Sequence, residues 1–349
     1  MLPRVASLNL EVTKDAMKTN DIMLSAIQPT SYPHLGNYLG AIKNWVKLQD
    51  QFRSYCFIVD LHAITVAQQP ENLYLNSLNA AAFNLAAGLN PKEVTLFIQS
   101  HVKEHAELAW ILNCFTYFGE LGRMTQFKDK SSKSGENIGA GLFTYPILMA
   151  SDILLYDTKI VPVGEDQRQH VELTRNIATR FNHRFEKEIF TVPEPRIQGS
   201  GARIMDLQDP TSKMSKSAQN DKGIVFMNDS AKEMEKKIKG AVTDSGSEIV
   251  YTSDKPGVKN LIDIQVAITQ KSIEEIVTHY QGKMYGHLKM DTAKLVIEEA
   301  MPIQEKATQL LKDRDSLLDI LHEGAQRARS HARETLERVY STIGFVPGR

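Results

Sequence analysis

The sequence predicts an α/β protein: a doubly wound parallel (Rossmann-like) sheet with a helical insertion, followed by an all-helical C-terminal domain. Three observations carry this. From Ile22 to about Gly164, short apolar runs alternate with longer amphipathic stretches, the rhythm of strand–helix–strand units. The run at 55–59 is apolar throughout, as strands covered on both faces are, and 94–98 reads as another buried strand. After Asn220 the pattern turns helical, with no convincing strand.

Taken in order, residues 22–27 read as the first strand and 37–51 as the helix that follows. The run at 55–59 is the second strand. Pro70 opens a helix that places Leu75, Leu78, Ala82 and Leu85 on one face and ends near Gly88. A third strand occupies 94–98. Residues 103–158 are more helical, as expected of an insertion between two halves of the sheet. Residues 159–163 form a later strand, and the helix at 167–181 turns Val171, Thr174, Ala178 and Phe181 the same way. Five helices follow, at 232–238, 260–269, 272–281, 294–311 and 316–340. The sheet domain is therefore expected over 22–220 and the helical domain over 221–349, joined near the polar stretch 209–221. Residues 1–21 stand outside both.

Composition removes several function classes. Lys and Arg total 41 against 42 Asp and Glu, a net charge of −1, so the 349-residue chain is not a polybasic protein whose whole surface attracts phosphate. Cys56 and Cys114 stand alone, so neither a disulfide framework nor a four-cysteine zinc site can be built. No apolar run approaches the roughly 18 to 20 residues of a membrane span. The first 21 residues mix Arg4, Lys14 and Lys18 with Glu11, Asp15 and Asp21, which fits neither a secretory signal nor a transit peptide. A cytoplasmic protein with a frayed N-terminal extension is the expectation.

Two motifs carry chemistry. The first, Gln28-Pro-Thr-Ser-Tyr-Pro-His34-Leu-Gly36-Asn37-Tyr-Leu-Gly40, lies between the first strand and the first helix. A helix N-terminus at the carboxyl end of a strand offers N–H groups and partial positive charge to phosphate, and Gly36 lets a ligand approach the backbone. Against that stands a polar turn whose histidine merely caps the helix. The second motif is Lys213-Met-Ser-Lys216-Ser217, a lysine pair flanked by hydroxyl residues in an interdomain loop. It suits a polyphosphate, although any one basic loop is more often simply solvated.

Together the motifs bring the chain to a family. It resembles the class I aminoacyl-tRNA synthetases, with Pro33-His-Leu-Gly36 in place of their HIGH sequence and Lys213 to Ser217 matching their KMSKS sequence. Within that class it is similar to the bacterial-type tryptophanyl-tRNA synthetases. The segments that carry this are Arg123-Met-Thr-Gln-Phe-Lys128, Thr144-Tyr-Pro146, Asp152-Ile-Leu-Leu-Tyr156, Val163-Gly-Glu-Asp-Gln167, Gln169-His-Val-Glu-Leu-Thr-Arg175 and Gly201-Ala-Arg-Ile-Met205. The resemblance runs from about Ile22 to Gly344. Ser31 departs from it, since the family usually places glycine after Pro-Thr.

The resemblance implies tryptophan activation by ATP, with release of pyrophosphate, and transfer to the terminal ribose of tRNA. It implies an ATP site from Gln28, Pro29, Thr30, Gly36, Asn37, Gln126, Lys130, Gly164, Glu165, Asp166, Ile204, Lys213, Met214, Ser215, Lys216 and Ser217. His34, Asp166, Lys213 and Lys216 would serve the chemistry, and magnesium would arrive with ATP. Asp152 would accept the indole N–H of tryptophan, Tyr145 and Gln167 would hold the α-ammonium group, and Met149 would pack on the ring. No zinc or iron–sulfur cluster is expected. Family members are homodimers through the inserted region, where this sequence has Trp110-Ile-Leu and 115–118.

Each assignment has a plainer counterpart. Asp152 could N-cap the following run, Tyr145 and Met149 could be core, and Asp166 could open the 167–181 helix. His62 reads as structural, and His101, His105 and His170 lack acidic partners at ligand spacing. For tRNA, Lys232, Lys236, Lys237 and Lys239 and later Arg327, Arg329, Arg333 and Arg338 are either a binding surface or solvated helix faces. Competing readings are a tyrosyl-tRNA synthetase, a tryptophan- and ATP-binding paralogue that charges no tRNA, and a small adenylyltransferase, which would lack the helical domain.

Overall fold

The computed structural model describes residues 19–29, 32–126, 139–197, 203–215 and 221–347. At its centre lies an all-parallel sheet of β1 (Thr19–Ile27), β2 (Phe52–Ile58), β3 (Val94–Ile98), β4 (Ile160–Val163) and β5 (Glu194–Ile197), in the order β3-β2-β1-β4-β5. The chain builds β2 and β3 outward on one flank of β1, then returns to add β4 on the other. That reversal opens a crevice beyond the carboxyl ends of β1 and β4.

The first helical run opens as α1 (Leu35–Asn37), passes through a π turn at Tyr38–Ile42 and closes as α2 (Lys43–Leu48). Between β2 and β3 come α3 (Asp60–Ala63) and α4 (Pro70–Ala86), whose proline sits in the first turn, where its missing N–H leaves no bond unmade. The insertion between β3 and β4 contains α5 (Glu104–Asn113), α6 (Phe118–Leu121) and α7 (Ala140–Leu154). Next, α8 (Arg168–Phe185) joins β4 to β5. The remaining helices are α9 (Ala231–Lys239), α10 (Pro256–Thr269), α11 (Ile273–His279), α12 (Tyr285–Lys312) and α13 (Arg314–Ile343). No described helix is long and apolar enough to cross a membrane.

Strand periodicity divides the interior into two cores. Cys56, Ile58, Leu96 and Ile98 face one way and pack with Leu39, Phe83, Leu261, Val296 and Leu321. Tyr55, Phe57 and Phe97 face the other way and pack with Leu108, Ile153, Val171 and Phe181. Successive side chains of a strand point to opposite faces, so a strand buried on both must be apolar at every position. The helices after 221 share the first of these cores with the helices of the first half.

Two local departures from the sequence reading have physical reasons. β1 begins at Thr19, whose N–H donates to the Gln51 carbonyl at 2.9 Å, so residues 19–21 belong to the sheet. β5 was not expected, because Glu-Pro-Arg-Ile is only four residues long and holds a proline; as the outermost strand beyond β4 it can carry Pro195, which has no N–H to donate to a ladder.

Candidate active site

The crevice gathers loops from four strand ends. Gln28 and buried Pro29 follow β1, and Gly164, Glu165, Asp166 and Gln167 follow β4. The segment that leads into α1 is docked on another: Leu35 N–H donates to the Val225 carbonyl at 2.8 Å, and Met227 N–H to the Pro33 carbonyl at 2.9 Å. His34 is the N-cap, its Nδ1 accepting from Asn37 N–H while Asn37 Oδ1 accepts from His34 N–H, each at 3.2 Å. The plainer capping role is therefore real. It also narrows the anion-binding expectation, since the Leu35 and Asn37 N–H groups already have acceptors. With Nδ1 accepting, any donation to phosphate by the neutral ring comes from Nε2.

Gly36 joins this turn to the second motif. A Cβ there would stand 3.1 Å from the His34 ring and 3.6 Å from Ile204 Cβ. Ile204 in turn accepts from Met214 N–H at 3.1 Å, and Met205 bridges Lys213. Thus Gly36 and the segment bearing Ile204, Lys213 and Met214, about 170 to 180 residues further along the sequence, form one wall. Lys213 is exposed and Met214 buried. Ser215 adjoins them, while Thr30, Lys130, Lys216 and Ser217 lie outside the described residues.

On the opposite side, Gln126 bridges two elements: its Nε2 donates to the Asp166 carbonyl at 3.2 Å and its Oε1 accepts from Tyr145 Oη at 3.3 Å. Gln167 Nε2 donates to the Asp166 carboxylate at 3.0 Å. Asp166 lies in the turn Glu165–Gln167 that precedes α8, so the opening of that helix is part of its surroundings. Tyr145 Oη also meets His170 Nε2 at 2.9 Å, and burial pushes the Tyr145 phenol up to about 12.

Helical geometry then brings the amino-acid residues together. Tyr145, Met149 and Asp152 lie at i, i+4 and i+7 of α7, on one face. Asp152 is in the last turn of α7, not at an N-cap, and only 3% exposed. Its Oδ1 accepts from Gln99 Nε2 and His105 Nδ1, each at 2.7 Å, and its Oδ2 from His62 Nε2 at 2.8 Å. Burial alone would raise its pKa, but the bonds and charges of His105 and His62 outweigh it and bring the carboxyl down to about 2. An ionised carboxylate has about four acceptor directions. Three are taken, and the fourth is on Oδ2. Tyr145 stands edge-on to His62, ring centroids 6.2 Å apart.

These contacts give two histidines a partner that sequence spacing does not show. His105 does have an acidic partner, 47 residues away, and His62 contacts the same carboxylate across 90. Gln99 was missed altogether; its one clue was its place directly after the 94–98 strand. Met149 is half-buried and packed against the second core, compatible with either role. Among the described residues, no group of three or more His, Cys, Asp or Glu side chains is arranged to hold a metal ion.

The basic clusters separate. Arg327 donates to the Pro91 and Val94 carbonyls, Arg329 to the His101 carbonyl, Arg333 pairs with Glu104 and Arg338 with Asp157. These contacts tie α13 to the sheet half of the molecule, although Arg327, Arg333 and Arg338 remain exposed to solvent. On α9, Lys237 pairs with Asp229 and Lys239 with Glu235, while Lys232 and Lys236 are exposed.

Comparison with known proteins identifies the family. The family model for tRNA synthetases class I (W and Y) matches residues 17–299. A tryptophan–tRNA ligase of Clostridium perfringens is 51% identical over 326 residues, 93% of this chain and 98% of that protein. One from Corynebacterium glutamicum is 54% identical over 336 residues, 95% and 97% of the two chains. Among solved structures, tryptophanyl-tRNA synthetase from Mycoplasma pneumoniae superposes with a TM-score of 0.86 at 37% identity, covering 94% of this chain and 99% of that one. The Campylobacter jejuni enzyme, solved with ADP and tryptophan, gives 0.80 at 39% identity over 93% and 100%.

Proposed function

The chain belongs to the class I tRNA synthetases for tryptophan and tyrosine and is a tryptophan–tRNA ligase, and we propose that the crevice beyond β1 and β4 carries both of its steps. In the first, a tryptophan carboxylate oxygen attacks the α-phosphorus of ATP, forming the adenylate and expelling pyrophosphate. In the second, a ribose hydroxyl of the tRNA end attacks the acyl carbon, and AMP leaves. No covalent enzyme intermediate is needed, so rate comes from positioning and from cations that meet charge developing on phosphate.

The residues divide accordingly. His34, Gly36, Ile204 and Lys213 line the nucleotide wall, with Lys216 assigned there by motif. Magnesium enters as part of the substrate, held chiefly by phosphate oxygens. Tyr145 and Gln167 are assigned to the α-ammonium group, while Gln126 and Asp166, which contact them, are assigned to the nucleotide. The observation that carries tryptophan selection is the Asp152 carboxylate, buried, ionised and with one acceptor direction remaining on Oδ2. An indole N–H satisfies it. Phenylalanine leaves it unmet, a mismatch able to discriminate by roughly 10⁴ to 10⁵.

A homodimer fits the insertion. Trp110 on α5 and Phe118 on α6 are 73% and 80% exposed, with Tyr117 beside them at 64%, while neighbouring Ile111 and Leu112 are buried. Exposed apolar side chains in this insertion support an association surface, here for a second copy. For tRNA, the α13 arginines are already engaged within the molecule, which leaves Lys232 and Lys236 of α9 as the stronger candidates. The cytoplasm is the expected site of action.

The deciding experiment is ATP–pyrophosphate exchange across all twenty amino acids. Exchange with tryptophan alone is expected. Exchange with tyrosine would overturn the Asp152 assignment, and no exchange from folded protein would overturn the enzymatic reading.

A further inference from the structure

The Asp152 carboxylate is asymmetric in its partners, and one of them is itself held from behind. Oδ1 takes two donors, Gln99 and His105, whereas Oδ2 takes one, His62. Behind His105, Tyr156 Oη lies 2.8 Å from Nε2. We propose that His105 and Tyr156 are positioning residues for tryptophan selection: they hold Oδ1 saturated and thereby aim the open acceptor direction of Oδ2 at the indole N–H. The inference rests on the reading of Asp152 as the indole acceptor.

The direction of the bond to Asp152 follows from elementary chemistry. An ionised carboxylate only accepts, so the proton of the 2.7 Å contact sits on His105 Nδ1. In a neutral imidazole Nε2 is then bare and accepts from the Tyr156 hydroxyl. Burial first, then the nearby Asp152 charge, keep that hydroxyl protonated. With a neutral His105 the chain runs from Tyr156 to His105 to Asp152; with a protonated ring Nε2 donates to the Tyr156 oxygen instead, and in both forms Nδ1 donates to Asp152. Reversing the tautomer would set the bare Nδ1 against a carboxylate oxygen.

Packing removes the remaining freedom. The His105 ring is fully buried, 5.4 Å from Phe57, 6.0 Å from Phe97 and 5.5 Å from Tyr156 between centroids. Ser151 Oγ anchors the His105 carbonyl at 2.7 Å, tying α5 to the turn of α7 that bears Asp152. A partial rotation of the carboxylate about its Cβ–Cγ bond would weaken the two hydrogen bonds at one oxygen position and the one at the other together. With His105 removed, the two oxygens become alike, one donor each, and the aim of the open direction is lost.

The test compares tryptophan with benzothienylalanine, a near-isostere whose ring sulfur replaces the N–H, in pyrophosphate exchange by the full-length protein. His105→Leu is expected to raise KM for tryptophan roughly ten- to hundredfold, with kcat within about threefold of the parent, and to leave KM for the analogue nearly unchanged. His105→Asn, whose amide nitrogen occupies the place of Nδ1, is expected to restore most of the selectivity. Tyr156→Phe is expected to reduce tryptophan preference several-fold and serves as the readout if the leucine variant does not fold. Equal losses for both substrates would mean a merely structural role and would overturn the inference, as would an asparagine variant no better than leucine. Asp152→Asn separates the two levels. If it too fails to distinguish the substrates, the Asp152 reading itself falls; if it distinguishes them while the His105 and Tyr156 variants do not, only the positioning role falls.

Discussion

The Asn260 side chain closes two hydrogen bonds on the Met205 backbone, Oδ1 accepting from its N–H at 2.8 Å and Nδ2 donating to its carbonyl at 2.9 Å. An amide used this way replaces a neighbouring strand. It belongs to α10, in the helical half, yet it fixes the segment that sets Ile204 against Gly36 and bridges Lys213. The second half of the chain thus shapes the nucleotide wall of the first.

Asn260→Ala removes both bonds and leaves the Met205 amide without its partner. Loss of two buried hydrogen bonds corresponds to about 1 to 3 kcal/mol. The expected result in pyrophosphate exchange is a rise of roughly tenfold in KM for ATP, with KM for tryptophan little changed. An equal rise for both substrates would show that the whole site, not one wall, depends on Asn260.

A second close approach explains a glycine. Along α13, Leu317 and Leu321 pack into the first core, whereas Ala325, Ala328, Ala332, Leu336 and Val339 pack into the second. The helix therefore crosses the edge strand β3 from one face of the sheet to the other, and Gly324 is at the crossing. A Cβ on it would stand 1.8 Å from the Leu96 carbonyl oxygen and 2.7 Å from its carbon, with backbone on both sides and no flexible atom to yield. Gly324→Ala is expected to lower unfolding stability by about 3 kcal/mol, the upper range for overpacking. Urea unfolding followed by circular dichroism measures it; an unchanged midpoint would mean that α13 shifts without cost.

Much of this architecture was legible in the sequence where burial imposes a simple pattern. The strand at Val94–Ile98 coincides with its apolar run because both faces are covered. Legibility failed where pairing is long-range or exposure relaxes the pattern. β5 is an edge strand with prolines in and before it, and the π turn at Tyr38–Ile42 has no compositional mark. At the site, Tyr145 and Asp152 share a helix face that spacing reveals. The donors around Asp152 come from three other elements and reveal nothing until the chain is folded. The α13 arginines looked like a basic face because their acceptors, among them the Pro91 and His101 carbonyls and the Asp157 carboxylate, are about 180 residues away or more.

The exposed aromatic pair in the insertion makes the dimer testable. Trp110→Glu with Phe118→Glu places two charges where an apolar contact between copies is proposed, while Ile111 and Leu112 keep their buried positions. The double variant is expected to sediment as a monomer at concentrations where the parent is a dimer, with a similar circular dichroism spectrum. A parent that is itself monomeric, or a variant that remains dimeric, would remove this surface from the assignment.

Asp152 also predicts how stability responds to acid. Its folded-state pKa is about 2, against 3.8 for the ordinary group, so the native state binds its proton more weakly than the unfolded chain does. The stabilisation from the ionised carboxylate is therefore fully present above about pH 4. It declines as pH falls and is gone below about pH 2, where both states carry the proton. Asp152→Asn lacks this titration, and its amide nitrogen cannot accept the donors that the carboxylate does. The gap in unfolding free energy between parent and variant is expected to stay constant from pH 7 to 5, then to narrow steadily toward pH 2. Urea unfolding at half-unit intervals measures that gap. A gap that is flat throughout would mean that Asp152 is not the depressed carboxylate; a gap that widens in acid would mean that its pKa is raised by burial and that His105 and His62 do not hold it ionised.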